Sequence, residues 1–155
     1  MNFRITGLAS TPFEHLYGLP DNALATFGVE RHVADQKPGY PDRIALRDAE
    51  PGESLLLLNY MHQPAANPYQ ASHAIFVIEG ARVTYDRLNA VPEALRIRML
   101  SLRAFDKNNR MVDGDLVDGQ DVEKQIAVFF ANAEVACIHV HYAKRGCYAA
   151  RIDRG

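Results

Sequence analysis

The stretch CIHVHYAKRGCYAARI, Cys137 to Ile152, holds both cysteines of the chain and two of its six histidines. Val135 to Tyr142 has the β-branched and aromatic content of a strand. Ala143-Lys144-Arg145-Gly146-Cys147 then places glycine where a short hairpin loop needs a left-handed residue. The expected register sets Ala143 opposite Cys147, His141 opposite Ala149 and His139 opposite Arg151. Directly opposed residues point the same way. One face therefore carries Cys137, His139, His141, Cys147 and Arg151, and the other Ile138, Val140, Tyr142, Tyr148, Ala150 and Ile152. The uncharged second face suits a core, and a one-residue slip would mix the two.

Working outward, Val122, Ile126, Phe129 and Phe130 recur at i, i+4, i+7 and i+8, the stripe of an amphipathic helix lying on a sheet. Arg98 to Phe105 is compatible with helix or strand. It reads as a strand because Asn108-Asn109 and Met111 to Val117 complete a hairpin with it. Pro92 opens a short helix through about Arg96. His73 to Ile78 is a strand closed by Glu79-Gly80, with Arg82 to Tyr85 expected to pair with it. Leu55 to Tyr60 is a continuous apolar run suited to a central strand. The alternation of Ile44 and Leu46 against Arg43 and Arg47 makes Asp42 to Arg47 its expected hairpin partner. Phe3 to Leu8 reads as a first strand, Pro12 to Tyr17 as a short helix, and Asp21 to Gly28 as a second helix with a glycine stop. Val29 to Ala34 adds a further strand. Hairpins prevail over strand-helix-strand units, so the expected class is α+β: one domain over residues 1–155, a largely antiparallel sheet built from hairpins, and a few short helices packed on it.

At 155 residues, 48% apolar and 23% charged, the chain can bury a core without metal or disulfide staples. Its net charge of −2 gives no electrostatic footprint for nucleic acid or an anionic membrane, and neither partner is expected. Arginine outnumbers lysine thirteen to four. Guanidinium forks suit carboxylate and phosphate, but the charges are scattered, which favours a base-composition bias as the origin of the ratio. No apolar run reaches the length of a signal peptide core or a bilayer span, so a cytoplasmic location is the expectation. Two cysteines about six residues apart along one hairpin, on the order of 20 Å at strand rise, are too distant for a disulfide. Reduced thiols follow.

The chemistry-bearing cluster is the polar hairpin face. His139 and His141 are same-face neighbours about 7 Å apart by the strand repeat, a spacing that permits shared metal ligation. A third ligand would come from elsewhere: His73, His62 or Asp42 by type, Cys147 by proximity. The candidate catalytic residues are His139, His141, Cys147 and Arg151, and the candidate metal ligands His139 and His141. Cys147 is a thiol near Lys144, Arg145 and Arg151, whose charges favour a thiolate. Against this stand plainer readings: a solvated histidine pair, a packed cysteine, and Asp42 and Arg43 as a turn-stabilising pair. The irregular connection Gln63 to Ser72, rich in proline and asparagine, is a candidate pocket rim.

PGYPDRIALRDAEPGESLLLLNY, PYQASHAIFV, LSLRAFD and the terminal HVHYAKRGCYAARI together resemble, over essentially the full chain, a bacterial family known as domain of unknown function 1203. The family name carries no activity, so the resemblance transfers no catalytic residue. It also implies cysteine, in many members, where this chain has Asp42, so no scheme here can require a thiol at that position; an aspartate can still ligate a metal. The expected function is a small-molecule or metal-binding protein, with an enzyme as one form of it and the cofactor unspecified. The alternative is a non-catalytic module in which the hairpin face and the loop from Gln63 to Ser72 dock a partner or close a homodimer.

Overall fold

A computed structural model describes residues 1–155, and its strands divide into two antiparallel sheets. The strands are β1 (Phe3–Thr6), β2 (Glu30–Val33), β3 (Ser54–Gln63), β4 (Ala71–Ile78), β5 (Asp86–Leu88), β6 (Met99–Phe105), β7 (Met111–Asp118), β8 (Cys137–Tyr142) and β9 (Tyr148–Arg154). The larger sheet has the order β5-β1-β9-β8-β6-β7, and the smaller is β2-β3-β4. Three short helices accompany them: α1 (Asp21–Thr26), α2 (Glu93–Arg96) and α3 (Val122–Phe130). The α+β class with mostly antiparallel pairing therefore holds, and no helix is long and apolar enough to cross a membrane.

The main core forms where α3 lies on the larger sheet. Val122, Ile126, Phe129 and Phe130, the stripe read from the sequence, are buried against Leu100, Leu102, Ala104, Ile138, Val140 and Ile152. A second core packs Phe13, Leu16, Leu24 and Val29 onto Leu56, Leu58, Ile75 and Val77 of the smaller sheet. The first two of those residues belong to the segment read as a helix from Pro12 to Tyr17, which forms only a 3-10 turn at Glu14–Leu16.

β8 is central in its sheet and buried at all six positions. One face meets α3. The other, expected to be the watered face of a hairpin, lies beneath the far end of the β3–β4 hairpin, so His139 is only 2% exposed and His141 0%. A strand with apolar residues on one side and histidines on the other has become interior on both.

The β8–β9 register is as expected from Ile138↔Ile152 to Val140↔Ala150, including His139↔Arg151, and then a bulge shifts it so that His141 faces Tyr148. The Tyr142 amide bonds to the Cys147 carbonyl, making the loop four residues rather than three. This corrects the expected placement of two side chains. Cys147 packs against the main core, away from the histidines, and Tyr148 takes the position beside them. The extra residue at a bulge reverses the alternation of everything beyond it, and the hairpin pattern alone did not reveal it. Both cysteines are free.

Asp42 to Arg47 is not a strand. Pro41 and Asp42 make only isolated bridges, and Leu46 sits at φ 52°, in the left-handed region that ends an extended run. The side chains of this segment do the work instead. Asp42 is fully buried and accepts from the amides of Ala45 (2.5 Å) and Ile78 (2.8 Å). Arg43, 2% exposed, donates to the carbonyls of Tyr148 (2.8 Å) and Pro41 (2.5 Å) and to Cys147 Sγ (3.0 Å). Asp42 thus holds the segment to the smaller sheet and Arg43 to the larger. The paired partners of β3 are β2 and β4, and Arg82 to Tyr85 does not pair with β4; the nearby strand β5 pairs with β1.

Ile126 is fully buried under α3, so Ile126→Ala should cost about 3 kcal/mol through lost transfer energy and the cavity left behind. Urea unfolding measures this directly. A loss below about 1 kcal/mol would mean that α3 does not close the main core.

Candidate metal centre

Four imidazoles meet between the two sheets. β3 supplies His62 and β4 supplies His73, from the hairpin end that reaches beyond its own sheet; β8 supplies His139 and His141. Tyr60 is paired with His73, and an irregularity between Tyr60 and Gln63 turns His62 toward the same place. The loop after β3 is pinned over the β6–β7 turn: Gln63 Nε2 donates to the Asn109 carbonyl, and Asn67 Nδ2 to those of Asn108 and Asn109. The expected rim segment therefore closes on the larger sheet at the edge of the histidine group.

His62 Nε2 and His73 Nδ1 are 2.7 Å apart and share one proton. Their rings stack at 4.8 Å between centroids, and His141 meets them edge-on, its centroid 5.0 Å from that of His62 and 5.2 Å from that of His73. His62, His73 and His141 each offer a ring nitrogen, and these three atoms all lie within 4.8 Å of one another. His139 stands beside the trio with its ring 5.7 Å from His62, wedged between Phe105 and Tyr148. Tyr148 stacks flat on His62 at 4.8 Å. Of the four candidates read from the hairpin, the structure brings His141 into the converging set and places His139 against it. Arg151 lies across from His139 but is engaged by Asp153 at 2.8 to 3.0 Å. Cys147 is held elsewhere by Arg43. Asp42, a ligand candidate by type, is committed to two backbone amides. His62 and His73, the other candidates by type, are the ones that arrive.

Buried nitrogens without partners mark the centre. His141 Nδ1 is 2.9 Å from the Gly146 carbonyl, to which it must donate, and this leaves Nε2 unprotonated and unpaired. His62 Nδ1 and His139 Nδ1 are also buried without a partner. An unsatisfied buried polar atom ordinarily costs about 1–3 kcal/mol, and an ion bound at His141 Nε2 would relieve that cost there. A backbone carbonyl fixing the far nitrogen of a ligating histidine is the usual outer support of a metal site, because it sets the tautomer and the ring orientation.

All four rings are neutral at neutral pH. Burial, then the charges of His62, Arg151 and Arg103, pull His139 down to about 3. Burial pulls His141 down to about 3 against the opposing Gly146 hydrogen bond, with Arg103, His62 and His73 adding to the fall. His62 is lowered to about 4 by burial, His73 and Arg103, and His73 is lowered by burial and Arg103. Neutral imidazole is the form that binds metals.

Two surface clefts, of about 360 and 740 Å³, lie away from this centre. The charges around the smaller are paired among themselves or with neighbours: Arg47 with Glu53, Glu79 with Arg31, and Arg82 with Glu14. Neither cleft gathers groups without partners as the histidine centre does.

Among known proteins, the family model described as protein of unknown function (DUF1203) matches residues 39–154. No curated protein matches the chain, and no solved structure does. The matched span contains every residue of the histidine centre.

The depressed histidines make stability pH-dependent with a definite sign. In the unfolded chain they protonate near 6.5, whereas His139 and His141 stay neutral in the fold down to about 3. Their stabilising contribution is full above pH 6.5 and is lost as pH falls toward 3. At pH 5 the loss is about 2 kcal/mol for each of these two rings. Thermal unfolding between pH 7.5 and 5 should show the midpoint falling, and His139→Asn should flatten the fall. A midpoint that is level over this range would contradict burial of neutral rings.

Proposed function

The chain belongs to the family described as protein of unknown function (DUF1203), and we propose that it binds a divalent transition metal ion through His62, His73 and His141. The observation that carries this reading is the convergence of three neutral imidazole nitrogens, one each from β3, β4 and β8, within 4.8 Å of one another. Nitrogen ligands without carboxylates suit zinc, copper, nickel or iron rather than magnesium or calcium. Zinc bound by three histidines has Zn–N distances of about 2.0–2.1 Å and keeps a fourth position for water or a substrate. The ion would replace the proton now shared by His62 and His73 and would satisfy His141 Nε2.

An open fourth position is the arrangement that lowers the pKa of bound water and polarises carbonyl or phosphoryl oxygens. Metal-activated water is thus the form an enzymatic activity would take here, with His139 as the adjacent base or hydrogen-bond partner. Arg43 and Asp42 serve the fold in this reading, and Cys147 is a packed thiol held by Arg43. Two unpaired cysteines favour a reducing compartment, and the cytoplasm is the setting we assign.

Protein purified without chelator or an affinity tag rich in histidine, then dialysed against zinc, should hold one ion per chain by elemental analysis. His62→Ala, His73→Ala and His141→Ala should each weaken binding at least tenfold, whereas His139→Ala should keep the stoichiometry. An unoccupied wild type, or an affinity undiminished in His141→Ala, would overturn the proposal.

A further inference from the structure

The metal set proposed above brings no negative charge, and an unengaged cation stands on the same sheet face. Arg103 on β6 lies directly opposite His139 on β8 and opposite Gly114 on β7, and His139 in turn faces Arg151 on β9. Directly opposed residues share a sheet face with Cβ atoms about 5 Å apart. Arg103, His139 and Arg151 therefore stand in one row on the face that the β3–β4 hairpin covers. His141 is diagonal to Arg103, since it pairs with Ser101 two residues earlier.

The two arginines of the row differ in one respect. Arg151 is neutralised by Asp153 through a forked contact at 2.8 to 3.0 Å. The Arg103 guanidinium is half-buried and makes no hydrogen bond and no ion pair within the chain, and burial lowers its pKa. No imidazole accepts from it, and the Nδ1 of His139, its opposed neighbour, is itself without a partner. A half-buried guanidinium without an acceptor is costly unless an anion completes it.

We propose that this row is the substrate subsite, and that it takes a small-molecule carboxylate with one oxygen on the metal ion and the other on the Arg103 fork. The inference rests on the metal reading above. Charge favours an anion: the three ligands of the ion are neutral, and the Arg103 guanidinium beside them has no acidic partner. A carboxylate suits the bridge because each of its two oxygens can take one cation, the second accepting charge-assisted hydrogen bonds from the guanidinium. Gly114 leaves the flank of Arg103 clear, as a Cβ there would meet only the Leu102 carbonyl at 3.6 Å. Phe105 against His139 and Tyr148 against His62 give the organic part apolar walls.

Cobalt(II) separates the two readings, since its visible bands report both loading and a change in the ligand sphere. Wild-type protein and the variants Arg103→Gln and Arg103→Lys would be loaded with cobalt(II) and titrated with acetate, and separately with inorganic phosphate. All three should load one ion and show the same starting bands. Acetate should shift the bands of the wild type, at least tenfold more weakly those of Arg103→Gln, and to an intermediate degree those of Arg103→Lys, which keeps the charge without the fork. Loaded wild type that ignores acetate, or wild type and Arg103→Gln that respond alike, would overturn the subsite while leaving the metal reading intact. A response to phosphate stronger than that to acetate would overturn the carboxylate class. A wild type that takes up no cobalt would overturn both readings.

Discussion

Burial of β8 on both faces is the constraint from which the rest of the structure follows. A central strand reading Cys-Ile-His-Val-His-Tyr gives its apolar alternate residues, Ile138, Val140 and Tyr142, to the core under α3. The price is that His139 and His141 must be covered as well. Covering them requires a second layer, and the long β3–β4 hairpin supplies it with histidines of its own. Burial then keeps the rings uncharged, and uncharged rings with unpaired nitrogens are a ligand set. Fold stability and candidate chemistry are thus two results of one packing choice.

The two layers need fastening, because the histidines between them offer few apolar contacts. The segment from Pro41 to Asp48 provides it. Asp42 fixes the segment to β4, Arg43 reaches the carbonyl of Tyr148 at the start of β9, and Asp48 receives a forked contact from Arg98, just before β6. Arg43 and Arg98 lie over the Tyr142 ring at 5.1 and 5.0 Å, so two guanidiniums share one aromatic face system. This fastening lies where β8 ends, with Tyr142 beneath both guanidiniums. Cys147 belongs to it as the sulfur acceptor of Arg43.

Much of this was legible in the residues, for physical reasons that differ by element. α3 was readable because its period is long and its stripe uninterrupted. The β6–β7 and β8–β9 hairpins were readable because their turn residues are specific. Asp42 to Arg47 was not: its alternation imitates a strand, and only the left-handed Leu46 and the side-chain bonds of Asp42 reveal a turn. The bulge beyond Val140 was equally silent, and it moved Cys147 out of the centre and Tyr148 into it. His62 and His73 could be named only by residue type, because bringing β3–β4 over β8 is a contact between sheets. Arg103 could not be named at all without the pairing of β6 with β8, which a hairpin-by-hairpin reading does not supply.

X-ray absorption at the zinc K-edge on the zinc-loaded protein tests the central claim most directly, since it reports the donor atoms at the ion itself. The structure predicts a first shell of nitrogen and oxygen at about 2.0–2.1 Å, with the outer scattering of three imidazoles, reduced to two in His141→Ala. A sulfur shell at about 2.3 Å, or imidazole scattering unchanged by loss of His141, would contradict a centre built where β8 meets the β3–β4 hairpin.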